Sequence, residues 1–339
     1  MTQDQKIIRT KVVDSRAACR GNSCLEVPGS SVRNMAFRFD RLMIRITGQT
    51  GWPGWPYVGR KVVKYTRILP RTWIRAKVRR LTGFTPELNE HTFLFICGLH
   101  RSGTSLIHRL IRAHPQVSGI YGTTVPEDEG QHLQSVYPSD RQFGMLFALN
   151  PNVHLTEQSA LVSDMARTRL LQDWGRYLDF RRPVLVEKSP SNIVRSRFLQ
   201  ALFPEARFLF IVRHPIVVTL AIQKWTDAPL RQLLFHWCVA HQLMLEDLPH
   251  LHHALVIRYE DLAVTPEKIL SSAFDFVDLP AIAVSELIRN RNDRYFAAWR
   301  KMLAEDGDCT ADLAERFGPL LMRFGYQLES PYVLRSPKP

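Results

Sequence analysis

The eight residues Gly98-Leu99-His100-Arg101-Ser102-Gly103-Thr104-Ser105 have the composition of an anion-binding turn. An apolar run precedes them and a helical pattern follows. Backbone N–H groups of a glycine-rich turn therefore converge at a helix N-terminus, where aligned peptide dipoles favour negative charge. The spacing is that of a phosphate loop, GxxxxGK[ST], except that Thr104 stands where lysine is expected. That lysine neutralises the terminal phosphates of a nucleoside triphosphate, so a loop without it suits a shorter, less charged anion. Ser102, Thr104 and Ser105 add hydroxyl donors beside His100, and Arg101 adds a fixed charge. Elsewhere, Arg213 closes the apolar run Phe208-Leu209-Phe210-Ile211-Val212, where a guanidinium needs an anionic partner. Glu187-Lys188-Ser189-Pro190 follows Val184-Leu185-Val186, and Glu127-Asp128-Glu129, then His132, follow Thr123-Thr124-Val125-Pro126. This acidic group is either proton-transfer machinery or a helix start favoured by the macrodipole. Tyr259, Glu260 and Asp261 lie just beyond Ala254-Leu255-Val256-Ile257, with Asp261 placed to cap the next turn.

Most of these groups sit at the end of a short apolar run, and the runs are the elements that must position them. Thr92 to Cys97 is continuous enough for a strand buried on both faces. Leu106 to Ala113 reads as helix, ended by His114-Pro115, and longer helical patterns occupy 156–180 and 229–248. Strands alternating with helices predict a three-layer α/β/α domain with a central parallel sheet. Ligands of such sheets bind at the carboxyl ends of the strands.

The segment FICGLHRSGTSLIHRLIRAHPQV resembles the 5′-phosphosulfate loop of the sulfotransferases that use 3′-phosphoadenosine 5′-phosphosulfate (PAPS), particularly their bacterial and tyrosyl-protein-sulfotransferase-like branch. RFLFIVRHPIVVTLA resembles the 3′-phosphate segment of that family, and VLVEKSPSN and VIRYEDLAVTPEKIL resemble two further stretches of it. The four occur in family order between Phe93 and Leu270. The resemblance implies a P-loop-NTPase-like sulfotransferase fold and transfer of a sulfuryl group from PAPS to a hydroxyl or amine, with PAP as product and no metal. It assigns His100, Arg101, Ser102, Gly103, Thr104 and Ser105 to the phosphosulfate end of the donor, Arg213 to its 3′-phosphate, and Tyr259 to the nucleotide. The family serine eight residues after that arginine is Ala221 here. Thr219 lies on the opposite helical face, whereas Lys224, about one turn beyond Ala221, shares its face and could compensate. By the same resemblance Lys188 contacts the sulfuryl group or its bridging oxygen, stabilising charge on the leaving phosphate. Ser191 and Asn192 add hydrogen bonds or cap the helix that follows. A base must take the acceptor proton; Glu127 is favoured, then Glu129, then His132.

The net charge of +13 is concentrated before this region. Residues 33–80 hold thirteen basic residues and one acidic, whereas 1–32 carry +2 and 81–339 carry −1. The expected organisation is a basic N-terminal extension, 1–83, partly disordered or packed on the core, and a catalytic domain, 84–339. Basic residues interleaved with Trp52, Trp55, Tyr57 and Trp73 suit an anionic membrane surface. The plainer reading is that 33–80 packs on the domain and steers the anionic donor to it. A nucleic-acid-binding protein is the non-enzyme alternative, but no reading module accompanies the charge. A P-loop-type NTP-dependent kinase is the enzyme alternative, opposed by the missing loop lysine and by arginine ending the second core strand. Five scattered cysteines indicate a reduced compartment without a disulfide framework. The N-terminus has no apolar core and no run nears about 18 apolar residues. The expected location is cytoplasmic, peripheral to a membrane if 33–80 binds lipid. The histidines, His252-His253 included, show no metal-ligand spacing, and neither the acceptor nor the oligomeric state is legible.

Overall fold

The computed structural model describes residues 91–283, 288, 290, 292–306 and 311–328. The basic extension 1–83 therefore lies outside the described residues, and with it the membrane and steering readings of 33–80.

Among the described residues five strands form one sheet: β1 (Thr92–Cys97), β2 (Val117–Gly119), β3 (Val184–Lys188), β4 (Arg207–Val212) and β5 (Ala254–Arg258). Their order is β2-β3-β1-β4-β5 and every pairing is parallel. β1 is central because its residues are apolar in both directions of the pleat. Phe93, Phe95 and Cys97 join one buried cluster, while Leu94 and Ile96 join the other. Burying a large apolar side chain stabilises by roughly 1.5–3 kcal/mol, so an element that buries every side chain from Phe93 to Cys97 belongs inside the sheet rather than at its edge.

Helices cover both faces. Helix α1 (Thr104–Ile111), α6 (Tyr259–Val264) and α7 (Pro266–Asp275) contribute to the cluster holding Leu94 and Ile96. Helices α2 (Asp164–Gly175), α3 (Ser196–Leu202), α4 (Pro215–Ile222), α5 (Leu230–Asp247), α8 (Asp293–Asp306) and α9 (Ala311–Arg323) contribute to the cluster holding Phe93 and Phe95. The result is the expected three-layer α/β/α sandwich. The helical pattern read over 156–180 is shorter in the structure. Ser163 accepts a bond from the Ala166 N–H and starts α2 there, and turns occupy the preceding residues.

The chain leaves β1 towards β2 on one side and later passes to β4 on the other, so the strand order switches at β1. The loops after β1, β3 and β4, and the start of α6 after β5, all stand at the carboxyl edge of the sheet, where such a switch leaves a crevice. Asp261 does not cap α6 as expected. Its carboxylate instead takes the guanidinium of Arg258 at 2.7 and 3.1 Å, and α6 begins without a side-chain cap.

Candidate active site

The turn after β1 is braced from within. Ser102 sends both its N–H (3.1 Å) and its hydroxyl (2.6 Å) to the Leu99 carbonyl. The Ser102 hydroxyl is thus engaged by the loop itself. Gly103 precedes α1 at φ 109, and a Cβ there would lie 2.7 Å from Cδ2 of Tyr259. Only glycine fits, in conformation and in space. Among the described residues no side chain caps α1, which leaves the start of the helix available to an anion. Arg101 lies over the exposed Trp225 ring at 4.7 Å, Thr104 is buried, and Ser105 donates to Glu127 Oε2 at 3.2 Å.

β3 delivers Lys188, fully buried, to a carboxylate rather than to solvent: Nζ stands 3.1 Å from Glu129 Oε1. The other Glu129 oxygen receives the Gln131 side-chain amide at 2.9 Å and lies 3.4 Å from His132 Nε2. His132 Nε2 is also 3.5 Å from Asp140, which in turn takes His100 Nε2 at 3.0 Å and the Gln131 amide at 2.7 Å. A continuous, largely buried network therefore joins the anion loop, through His100, to Lys188. Burial alone would raise the Glu129 carboxyl, but the Lys188 cation and the bonds from His132 and Gln131 bring it down to about 2. Glu129, His132 and Asp140 place metal-ligating atom types within 4.8 Å of one another. Both carboxylates already have donors in Gln131, and Glu129 also has Lys188. Beside His132 a cavity of about 330 Å³ opens, lined by Gln131, Gln134, Ser139, Arg141 and Gln142 among others.

Arg213 follows the last residue of β4 and lies under the Tyr259 ring, 3.8 Å from its centroid. Its guanidinium donates to Asn292 Oδ1 at 2.8 and 3.1 Å and to the Arg101 carbonyl at 3.0 Å, all uncharged acceptors. Burial pulls its proton affinity down. The adjacent Glu260 is occupied by Asn292 Nδ2, the His214 N–H and the Tyr326 hydroxyl. Next in the chain, His214 caps α4 through Nδ1 to the Ile216 N–H, with Pro215 at the first helical position. Ala221 is buried. Lys224 is exposed and does not meet Arg213; its Nζ lies 6.0 Å from the Tyr295 ring, whose hydroxyl takes Arg294 at 2.8 Å.

The structure thus brings His100, Glu129, His132 and Lys188 into one cluster and Arg101, Gly103, Arg213 and Tyr259 into another. It leaves Glu127 beside Ser105 and Lys224 at the surface. Ser191 and Asn192 bond to Gln131 and Glu187 and do not cap α3. Sequence reasoning missed Gln131, Asp140 and Asn292, which lie in aperiodic segments with no motif around them. Glu187 does carry a signal in the sequence, as a carboxylate closing an apolar run.

The sequence profile of the sulfotransferase family matches residues 94–283, more than half of the chain. Protein-tyrosine sulfotransferase A of Caenorhabditis elegans is 26% identical over 199 residues, covering 56% of this chain and 50% of that protein. The protein-tyrosine sulfotransferase of Drosophila melanogaster is 25% identical over 204 residues, 56% of this chain and 39% of the relative. The chain is therefore matched to half or less of the length of these relatives. Among solved structures, sulfotransferase STF9 from Mycobacterium avium superposes with a TM-score of 0.48 at 14% identity, over 86% of this chain and 91% of that one. With the profile spanning β1 to beyond α7, this chain belongs to the sulfotransferase family.

Proposed function

We propose that this chain transfers the sulfuryl group of PAPS to an acceptor hydroxyl. The observation that carries the reading is Arg213, a guanidinium at the carboxyl edge of the sheet whose acceptors are all neutral. A partly buried cation whose direct acceptors among the described residues are neutral has hydrogen-bonding room for an anion, and a phosphate of the donor supplies one. Arg213 and Tyr259 would hold the nucleotide end, while Arg101, Thr104, Ser105 and the start of α1 would hold the phosphosulfate.

In the transfer the acceptor oxygen bonds to sulfur, the bridging S–O bond breaks with its electrons going to the phosphate of PAP, and the acceptor proton leaves. Lys188 neutralises charge on that bridging oxygen. Glu129 takes the proton: of the three candidate bases it is the one paired with Lys188. The pair keeps Glu129 ionised, and engagement of Lys188 by the donor releases it as a base. The relatives are named for protein tyrosine, so a tyrosyl phenol is the first acceptor to test, beside sugars, lipids and small phenols.

Incubation with labelled PAPS across those acceptor classes, read by mass, yields one sulfate increment on at least one of them. Binding of PAP, Mg-ATP and DNA is measured in parallel. Tight Mg-ATP binding without PAP binding assigns the chain to a phosphoryl-transfer activity instead, and DNA binding alone to a nucleic-acid role.

A further inference from the structure

Each member of the Lys188–Glu129 pair has a chain neighbour that ties the two segments together. Glu187 precedes Lys188 on β3, and Gly130 follows Glu129. Glu187 Oε1 accepts the Gly130 N–H at 2.9 Å. One residue further along, Ser189 Oγ accepts the Gln131 N–H at 3.0 Å and donates to Glu187 Oε1 at 2.5 Å. Asn192 Nδ2 donates to Glu187 Oε2 at 2.6 Å. Segments 129–131 and 187–189 are therefore laced together on both sides of the ion pair. The fit is close: a Cβ on Gly130 would stand 2.5 Å from Glu187 Oε1. On its other side, the Gly130 carbonyl takes the indole N–H of Trp174 at 3.0 Å.

Glu187 is completely buried and makes no salt bridge among the described residues. An apolar residue of similar size would avoid the cost of burying a carboxylate. It would, however, leave three converging donors without an acceptor, namely the Gly130 N–H, the Ser189 O–H and the Asn192 amide. A carboxylate, which accepts at both oxygens and donates at neither, matches all three. That pattern has a purpose only if the place of the Gly130 backbone matters, and Gly130 is bonded to Glu129.

We propose that Glu187 is a positioning residue for sulfuryl transfer, clamping the segment that carries Glu129 onto the end of β3 so that carboxylate and Lys188 ammonium meet the reacting groups in register. The proposal rests on the roles given above to Glu129 and Lys188. Because a misplacement of about 1 Å can cost about 10²-fold in rate, Glu187→Ala is expected to lower kcat about 10- to 100-fold. PAP affinity should stay within about twofold, since the clamp makes no direct hydrogen bond to residues 98–105 among the described residues and reaches them only through Gln131, Asp140 and His100. Glu187→Gln should recover most of the rate. Its oxygen can still accept from Gly130, and Asn192, whose Oδ1 has no partner, can turn its amide to meet the new donor.

The deciding measurement repeats Glu187→Ala in a Glu129→Gln background. A residue that acts through Glu129 adds little there, less than about threefold, because coupled effects do not add. An equal loss in both backgrounds would reduce Glu187 to a general structural role, and an unchanged kcat in the single variant would remove the clamp altogether. If Glu187→Ala does not fold, Ser189→Ala breaks the same lacing and takes its place in the comparison. A wild-type chain that binds no PAP and transfers nothing from PAPS would overturn the underlying reading instead, an outcome distinct from the others.

Discussion

Arg213 was legible as a single residue because an apolar run leaves a charged end residue nowhere to go. Its setting was not legible. Asn292, which takes two of its N–H groups, is 79 positions away, in a stretch with no periodicity. The same limit applies to the base. The run Glu127-Asp128-Glu129 offers two glutamates, and the sequence favours Glu127 over Glu129. In the structure they part because Glu127 adopts φ 52 beside Ser105, whereas the chain then turns Glu129 inward to Lys188. A charge-assisted bond to phosphate contributes about 1.5–3 kcal/mol, which is about 10- to 150-fold. Arg213→Ala should weaken PAP by that factor and leave 5′-AMP, which lacks the 3′-phosphate, nearly unaffected. Lys224→Ala should cost less than about 1 kcal/mol, as befits an exposed lysine. Calorimetry of the two variants with both nucleotides decides. Equal weakening of PAP and AMP by Arg213→Ala would move the arginine away from the 3′-phosphate.

Among elements, the strands and their order of appearance were the readable part. β1, β3, β4 and β5 are runs of apolar residues, and a three-residue strand such as β2 is too short to register as one. The region between β2 and α2 was opaque for the opposite reason. It is held by single-turn helices and by side chains such as Gln131 and Gln134 bonding to nearby backbone and side-chain groups, and such bonding follows no period. Contact between elements is where the anion loop acquires its shape, since α6 lays Tyr259 against Gly103 at the start of α1. Gly103→Ala should destabilise the protein by about 1–3 kcal/mol, combining a left-handed φ with a steric conflict, and should weaken PAP. Adding Tyr259→Ala removes the conflict but not the φ, so in thermal melts the double variant should lose less stability than the two single variants combined, while PAP affinity stays low because Tyr259 itself holds the nucleotide. Fully additive losses would mean that the backbone conformation alone excludes a side chain.

For the molecule as a whole, the most consequential feature outside the site is a pair of histidines inside the apolar layer that flanks Phe93 and Phe95. His236 and His241, both on α5, are fully buried. His236 packs edge-on against Phe147 at 5.0 Å and neither of its ring nitrogens has a partner among the described residues, while His241 donates from Nδ1 to the Trp237 carbonyl at 2.7 Å and stacks on that indole. Burial holds each imidazole neutral and pulls its pKa from 6.5 to about 3. The unfolded chain takes up protons at these sites as pH falls through 6.5, and the folded chain does not until about 3. Stability therefore drops between those limits, by up to about 1.4 kcal/mol per pH unit for each histidine. Glu129 acts in the same direction, because its depressed carboxyl contributes stability above about 4.5 that is lost as pH falls towards 2. Domains are stable by only about 5–15 kcal/mol, so the protein should unfold well before pH 3. His236→Leu, close in volume, should change stability little at pH 7.5 and flatten the decline between pH 6.5 and 4. Denaturant melts across that range test this directly. Parallel losses in the variant and the wild type would show that His236 is not among the groups that set the acid limit.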